Sequence, residues 1–346
     1  MSFPRPTVLL PGVGSYVPGA LSAVRRLPVV RDTLAAVDAE VRAPWGHAHL
    51  TVSGLLTSTL APRAEDLAGP HDPLLHLAVY AQSLAVFRLL ESADLPRPRV
   101  LMGHSLGEIA ALAAAGVVSA GDGARLLLAC EEARRAHSAP PGGLLALRLS
   151  ASDAVELLAR LRLPGTQVAC DNTDRQCLIS GPPESLAVLA RMARARSLTC
   201  VTVTTRTLFH STRLTGVARQ VRAVADAVEF RRPRHRLHSP VLRRSPRDPG
   251  ELRDMVVHHL VAPVRFRQAV ADLHLRGERV FVESGCRALL SPMVQWIAPD
   301  TTALAPLGAG QDLGALHTVL AAHRLRGPVD AVDAVGADAG AVRAQP

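Results

Sequence analysis

The chain has 346 residues, 48% of them hydrophobic and 20% charged, which fits two domains or one large domain with an insertion and excludes a disordered chain. Its net charge of +9 rests on 39 basic residues, every one an arginine; without lysine there is no phosphate-binding P-loop and no Schiff-base chemistry. The five cysteines, odd in number and without a C-x-x-C pair, point to reduced thiols in a cytoplasmic protein, with no disulfide framework and no metal site. No apolar run approaches the roughly 18 residues of a membrane span, and the N-terminus lacks the features of a signal peptide.

Residues 7–10 (TVLL) predict a first buried strand, followed by the Gly-rich turn PGVGSYVPG. An amphipathic helix is expected over 19–44 and irregular chain over 45–72. Residues 74–91 carry apolar side chains at helical spacing behind Pro73. Residues 100–102 predict a short strand, GHSLGEIAALAAAG a helix at once after it, and 124–137 another. SAPPGG at 138–143 marks a boundary. Beyond it, strands at 144–149, 167–169, 177–180 and 198–204 alternate with helices at 151–162 and 183–196, the order of a ferredoxin-like unit. Helix is expected again at 210–228, then a Pro/Arg-rich loop at 229–250 with strand pieces at Leu237 and Val241–Leu242. Helices at 252–260, 266–275 and 313–323 follow, with a strand at 280–283. The expected domains are 1–138 and 206–326 for the two parts of a large α/β domain, 139–205 for the insertion, and 327–346 for a disordered low-complexity tail.

Gly103-His104-Ser105-Leu106-Gly107 is a G-x-S-x-G sequence between predicted strand and helix. A serine on that tight turn is presented as a nucleophile, and glycine is needed on both sides because a side chain would meet neighbouring backbone. The following N–H, of Leu106, and the positive end of the helix face the same point. The alternative is an unreactive serine in a Gly-rich turn. A serine nucleophile needs a base, and there are 14 histidines. His104 cannot easily face its neighbour's hydroxyl. His210 lies where the chain re-enters the large domain, although periodicity alone does not rank it above His259 or His274.

Four blocks of sequence resemble malonyl-CoA:acyl-carrier-protein transacylases and the acyltransferase domains of polyketide synthases. Leu10-Pro11-Gly12-Val13-Gly14-Ser15 is similar to that family's N-terminal F-P-G-Q-G-S loop. Gly103–Glu108 with the Ala/Leu run after it matches the nucleophile block. NTDRQCLISG at 172–181 resembles an N-x-x-x-Q-x-V-I-S-G segment, and Phe209-His210-Ser211 an F-H-S segment. The resemblance implies an α/β-hydrolase-like large domain with an inserted ferredoxin-like domain. It implies catalysis by Ser105 and His210, with the backbone N–H groups of Val13 and Leu106 as oxyanion hole. No bound cofactor is implied; acyl-CoA is the substrate, and the acceptor is the phosphopantetheine thiol of an acyl carrier protein, in polyketide or fatty-acid biosynthesis and, by extension, antibiotic biosynthesis. An acidic carrier would dock transiently on a basic rim, and Arg243 and Arg244 in the arginine-rich stretch 231–247 suit it. With aromatics at 3%, nucleic-acid stacking is not expected. Neither nucleic acid nor membrane is an expected partner, and a monomer is favoured.

Departures from the family pattern bear on the acyl group. Where the family has an arginine that pairs with the free carboxylate of malonyl groups, this chain has Cys130. A thiol cannot neutralise a buried carboxylate, so a non-carboxylated starter acyl group is expected, unless Arg134, Arg125 or Arg206 replaces the missing charge. Leu208 and Phe209 stand at specificity positions without a familiar pattern. His259 falls where glutamine or asparagine is usual and where a backbone carbonyl orients the catalytic histidine; Asp72 falls where glutamine is usual. Competing expectations are an editing hydrolase of acyl-carrier proteins, a malonyl transferase with a relocated arginine, a plain α/β-hydrolase using His274 or His317, and a non-catalytic docking module.

Overall fold

The apolar run near the N-terminus forms β1 (Thr7–Leu10), and all four of its residues are buried. A strand covered on both faces belongs inside a parallel sheet flanked by helices. The computed structural model, which describes residues 5–41, 50–69, 71–93, 96–137 and 140–308, has that arrangement.

The long helix expected over 19–44 is broken. Residues 22–24 make a single 3-10 turn, and α1 (Pro28–Asp38) starts at a proline, which fits only the first turn. The stretch expected to be irregular contains α2 (Val52–Thr57) and α3 (Ala64–Leu67). Side chains explain α2: Thr51 accepts from the Gly54 N–H at 2.9 Å, and the Asp38 carboxylate accepts from the Val52 N–H at 2.8 Å. Helices this short carry too few residues to show a period. Next comes α4 (Asp72–Ser92), which is buried on nearly every face. By length and composition it could cross a membrane, which the expectation of no such segment overlooked; 94% of its most apolar window is buried within the protein.

β2 (Val100–Gly103), α5 (Gly107–Ala114) and α6 (Ala120–Ala136) follow as expected, α6 starting four residues early because Ser119 and Asp122 form a capping box. The β-α-β-β-α-β segment is β3 (Gly143–Leu147), α7 (Ala151–Leu161), β4 (Gln167–Thr173), β5 (Gln176–Gly181), α8 (Pro183–Ala195) and β6 (Cys200–Thr202). Its strands make an antiparallel sheet in the order β4-β5-β3-β6. Leu145, Leu147, Ile179 and Leu189 form a small core of their own between that sheet and its helices.

His210 and Ser211 are not helical, contrary to expectation; a 3-10 turn at Thr212–Leu214 leads into α9 (Thr215–Ala227). β7 (Leu237–His238) holds the expected strand at Leu237, whereas Val241 and Leu242 lie in a turn. Then come α10 (Pro249–Val261), α11 (Phe266–Leu275) and β8 (Val280–Glu283). The final described elements, α12 (Ser291–Ile297) and β9 (Thr302–Leu304), were not expected. The cap of α12 is remote: the Glu283 carboxylate accepts from the N–H groups of Leu289, Leu290 and Ser291 at 2.9–3.0 Å. The expected helix at 313–323 and tail at 327–346 lie outside the described residues.

The large sheet runs β7-β2-β1-β8-β9, with all pairs parallel. The chain moves from β1 outward to β2 and β7, then returns to the other side of β1 with β8. Ligand sites in such sheets form at the carboxyl ends of the strands where the order reverses. Here Leu10 and Gly103 lie side by side in register at that end. The small sheet is fastened to the large domain by the segment between α10 and α11: Val264 bridges to Cys170, through Val264 N–H to Ala169 O at 2.8 Å and Asp171 N–H to Val264 O at 2.9 Å.

Candidate active site

Ser105 follows the end of β2 by two residues and has φ of 56°, in the left-handed region that side chains avoid. Close packing holds it there. A Cβ on Gly107 would run into the Leu10 carbonyl, and one on Gly103 into the backbone at Gly107 and Glu108. Gly12 brings the first loop onto the same turn: a Cβ there would lie 2.5 Å from the His104 carbonyl oxygen and 3.3 Å from the Leu106 nitrogen. The loop carrying Val13 therefore abuts Leu106, as the expected pair of N–H donors requires. Gln82 of α4 holds this loop by donating to Ser15 O at 2.9 Å and accepting from Val17 N–H at 3.2 Å.

Of the histidines considered, it is His210 that meets the serine. Its Nε2 is 2.7 Å from Ser105 Oγ, and its Nδ1 is 3.0 Å from the Ala262 carbonyl. A carbonyl only accepts, so Nδ1 carries the proton and Nε2 is free to accept from the serine hydroxyl. Burial, with His259 and His104 nearby, pushes the His210 pKa down to about 3, so the ring is neutral at physiological pH. Its φ of 55° also lies in the left-handed region. Gln167, at the start of β4, fixes this turn by donating to His210 O at 2.6 Å and accepting from Thr212 N–H at 3.2 Å. The carbonyl that faces His210 Nδ1 is three residues beyond the place anticipated at His259, because the chain turns out of α10 at Ala262 and the bridge to β4 fixes it there. The His259 ring itself is buried, bonded to Val256 O at 2.6 Å and lowered to about 4 by burial.

His104 points away from the serine. Its Nε2 meets Asn172 Oδ1 at 2.8 Å, and its ring packs edge-on against Phe266. His274 pairs with Asp300 at 2.7 Å near the opposite, amino-terminal end of β8, and His317 lies outside the described residues.

Cys130 is buried on α6, and burial pushes its thiol up beyond its ordinary value, so it is uncharged. Leu208 and Phe209 are buried too, with Leu208 packed over Gly142. Of the three arginines considered as replacements, two are committed to carboxylates and the third points to the surface. Arg134 binds the Glu131 carboxylate at 2.9 and 3.1 Å, Arg125 pairs with Asp122 and Glu40, and Arg206 is exposed and lies across Gly69. Asp72 accepts from the Gly69 N–H at 2.9 Å and the Arg206 N–H at 3.4 Å, holding the start of α4.

Two acidic residues went unassigned in the sequence. Glu131 is buried between Arg134 and His76, whose Nδ1 lies 3.0 Å away; these partners outweigh the upward push of burial and hold its carboxyl below the usual range. His76 packs against Phe209 with ring centroids 5.3 Å apart. Glu108, in the first turn of α5, is fully buried against the Ser239 hydroxyl, and burial raises its pKa to about 8. Protonated, it leaves the positive end of α5 uncancelled beside Ser105. Glu108 closes the block that resembles the nucleophile segment and Glu131 is the acidic neighbour of Cys130, but an apolar residue at either position would have served the helix pattern equally, so periodicity gave neither a role.

This geometry supports nucleophilic attack by Ser105 Oγ with the His210 ring as general base. A family model described as an acyl transferase domain matches residues 26–299. Among curated proteins, polyketide synthase GfsA of Streptomyces halstedii is 29% identical over 86% of this chain, which spans only 4% of that relative's length. Among solved structures, a loading acyltransferase from the avermectin modular polyketide synthase is 26% identical, with a TM-score of 0.79 over 92% of this chain and 99% of that one. The malonyl CoA-acyl carrier protein transacylase of Coxiella burnetii shares the fold, with a TM-score of 0.79 at 20% identity over 93% of this chain and 98% of that one.

Proposed function

The chain belongs to the acyl transferase domain family, and from that premise we propose that it moves an acyl group from acyl-CoA to the phosphopantetheine thiol of an acyl carrier protein in polyketide assembly. The observation that carries the reading is the 2.7 Å contact between Ser105 Oγ and His210 Nε2 at the carboxyl end of a parallel sheet. His210 takes the serine proton as Oγ attacks the thioester carbonyl. The oxyanion that forms is met by the N–H groups of Val13 and Leu106 and by the positive end of α5. The CoA thiolate leaves with the proton from His210, and the carrier thiol repeats the sequence on the acyl-serine. Burial keeps His210 neutral in the resting enzyme, so it begins each half-reaction as a base. In this reading 139–205 is the inserted small domain.

The acyl group is a non-carboxylated starter. Cys130 is buried and uncharged, and the nearest basic residue along α6, Arg134, is neutralised by Glu131. A malonyl carboxylate would be left unpaired there, at a cost of several kcal/mol. The loading acyltransferase similar to this chain supports a starter role. For the carrier, Arg243 is a cleaner docking probe than Arg244, which with Arg247 binds Glu251 at 2.5 and 2.6 Å.

Intact-mass measurement after incubation with a panel of acyl-CoAs tests both levels. Acetyl, propionyl or longer adducts should appear on Ser105, pass to holo carrier protein, and vanish in Ser105→Ala. His210→Ala should slow adduct formation by about 10²–10⁴-fold. A malonyl adduct that passes on would overturn the starter reading, and adducts lost only to water would make the protein a hydrolase.

A further inference from the structure

His76 of α4 keeps one ring nitrogen without use. The residue is 2% exposed, and its Nδ1 lies 3.0 Å from Glu131 Oε1 of α6. Its Nε2 is buried and has no hydrogen-bond partner among the described residues. Such an orphan costs free energy comparable to a lost hydrogen bond, so folding alone gives no reason for it. The ring is not free to turn and pair elsewhere. Glu131 holds Nδ1, and Phe209 packs edge-on against the ring with centroids 5.3 Å apart. A leucine, like those on either side of it in α4, would fill the space without leaving a polar atom bare.

The surrounding network fixes what that nitrogen can do. Arg134 donates to Glu131 Oε2 through Nε and Nη2, and the carboxyl lies below the usual range, so Glu131 is a carboxylate and only accepts. Nδ1 of His76 therefore carries the ring proton. Arg134 already neutralises Glu131, and a second proton on the ring would leave an unpaired charge in the interior. The ring is neutral, and Nε2 offers a lone pair. That lone pair stands close to the reacting groups. Phe209 contacts the rings of both His76 and His210, at 5.3 and 6.4 Å between centroids. His259 feels the charge of His76, and His210 that of His259, which sets the three imidazoles around one space. Thr207, two residues before Phe209, has a buried Oγ1 that is likewise without a partner among the described residues.

We infer that His76 is a specificity-determining residue whose Nε2 accepts a hydrogen bond from a hydroxyl on the acyl chain, so the starter is a short hydroxyacyl group. The inference deepens, and rests on, the proposed transfer of a non-carboxylated acyl group. The chain carried by Ser105 passes the Phe209 ring, and its hydroxyl donates to His76. A saturated chain leaves the nitrogen bare, and a keto or carboxylate oxygen meets its lone pair, so both are disfavoured.

The test follows acylation of Ser105 by intact mass over time, using the full chain with 3-hydroxybutyryl-, 4-hydroxybutyryl-, butyryl- and acetoacetyl-CoA. One of the hydroxyacyl donors should react with kcat/KM about ten-fold above butyryl-CoA, and acetoacetyl-CoA should not exceed butyryl-CoA. His76→Leu and His76→Phe should each bring the hydroxybutyryl-to-butyryl ratio to about one. Both donors are measured on the same sample, so the ratio does not depend on how much of a variant folds. A wild-type ratio near one overturns the assignment, and so does a ratio that survives either substitution. A preference for acetoacetyl-CoA would show that the ring donates, and overturns it too. Each of these outcomes includes a Ser105 adduct and leaves the transferase reading standing. Absence of an adduct from every donor sinks that reading, and this inference with it.

Discussion

His210 depends on neighbours that do not touch the substrate. Ala262 sets its tautomer, and Gln167 sets the turn that carries it. The left-handed backbone at His210 is unfavourable on its own, so the side-chain amide that bonds its carbonyl holds a strained residue in place. Gln167→Ala removes that bond while leaving both reacting groups. The rate of Ser105 acylation should fall about ten-fold, the worth of one hydrogen bond of ~1.4 kcal/mol, with KM for the acyl donor little changed. Stopped-flow acylation measures it; an unchanged rate would mean that packing alone positions the ring.

Among the elements, the β2–α5 turn is the least tolerant. Gly107 lets α5 approach β1 so closely that any Cβ collides with the Leu10 carbonyl. That contact is backbone against side chain, with no flexible end to give way. Gly107→Ala should cost about 3 kcal/mol of stability by overpacking, and the acyl adduct should be lost because Ser105 and the Leu106 N–H shift together. Thermal unfolding and intact mass check the two effects separately. The joint between β4 and the segment after α10 is the second such place: one bridge at Cys170 and Val264 sets the position of Ala262, and the Arg267–Asp171 pair at 3.1 Å lies over it.

Across the whole molecule, buried titratable groups give stability a defined pH dependence. Burial lowers His104, His210, His238 and His259 from the ordinary 6.5, the last three to about 3, 4 and 4. Between pH 6.5 and about 4 the unfolded chain binds protons there and the folded chain does not, so stability falls as pH falls through that window. Glu108 acts in the opposite sense. Its folded value of about 8 exceeds the ordinary 4.5, so between those values its contribution weakens as pH rises. Four histidines outweigh one glutamate below pH 6, and the melting temperature should drop between pH 6.5 and 4. Glu108→Gln should flatten the alkaline side, from pH 6.5 to 8, and steepen the fall between pH 6.5 and 4.5, where Glu108 opposes the histidines. A wild-type melting temperature that is constant from pH 6.5 to 4 would contradict these buried-histidine values.

The features legible from sequence alone are those set by near neighbours. The G-x-S-x-G turn, the buried first strand, the alternation of strand and helix, and the ferredoxin-like order all follow from local sterics and hydrophobic period, which are written within a few residues of each element. Short capped helices escaped because their caps lie elsewhere: α12 needs Glu283, eight residues before the serine it bonds, and α2 needs Asp38, fourteen before Val52. The partners in the site are decided by packing. Ser105 and His210 are 105 residues apart, His76 and Glu131 are 55, and Trp296 and Asp174 are 122. The first and last of those contacts exist because two sheets and their helices meet at one edge, and the second because α4 packs against α6. Which of 14 histidines faces the serine, which carbonyl faces that histidine, and which arginines remain unpaired are consequences of that meeting. Hydrogen bonds across such distances are fixed by tertiary geometry, and no local period or composition encodes them.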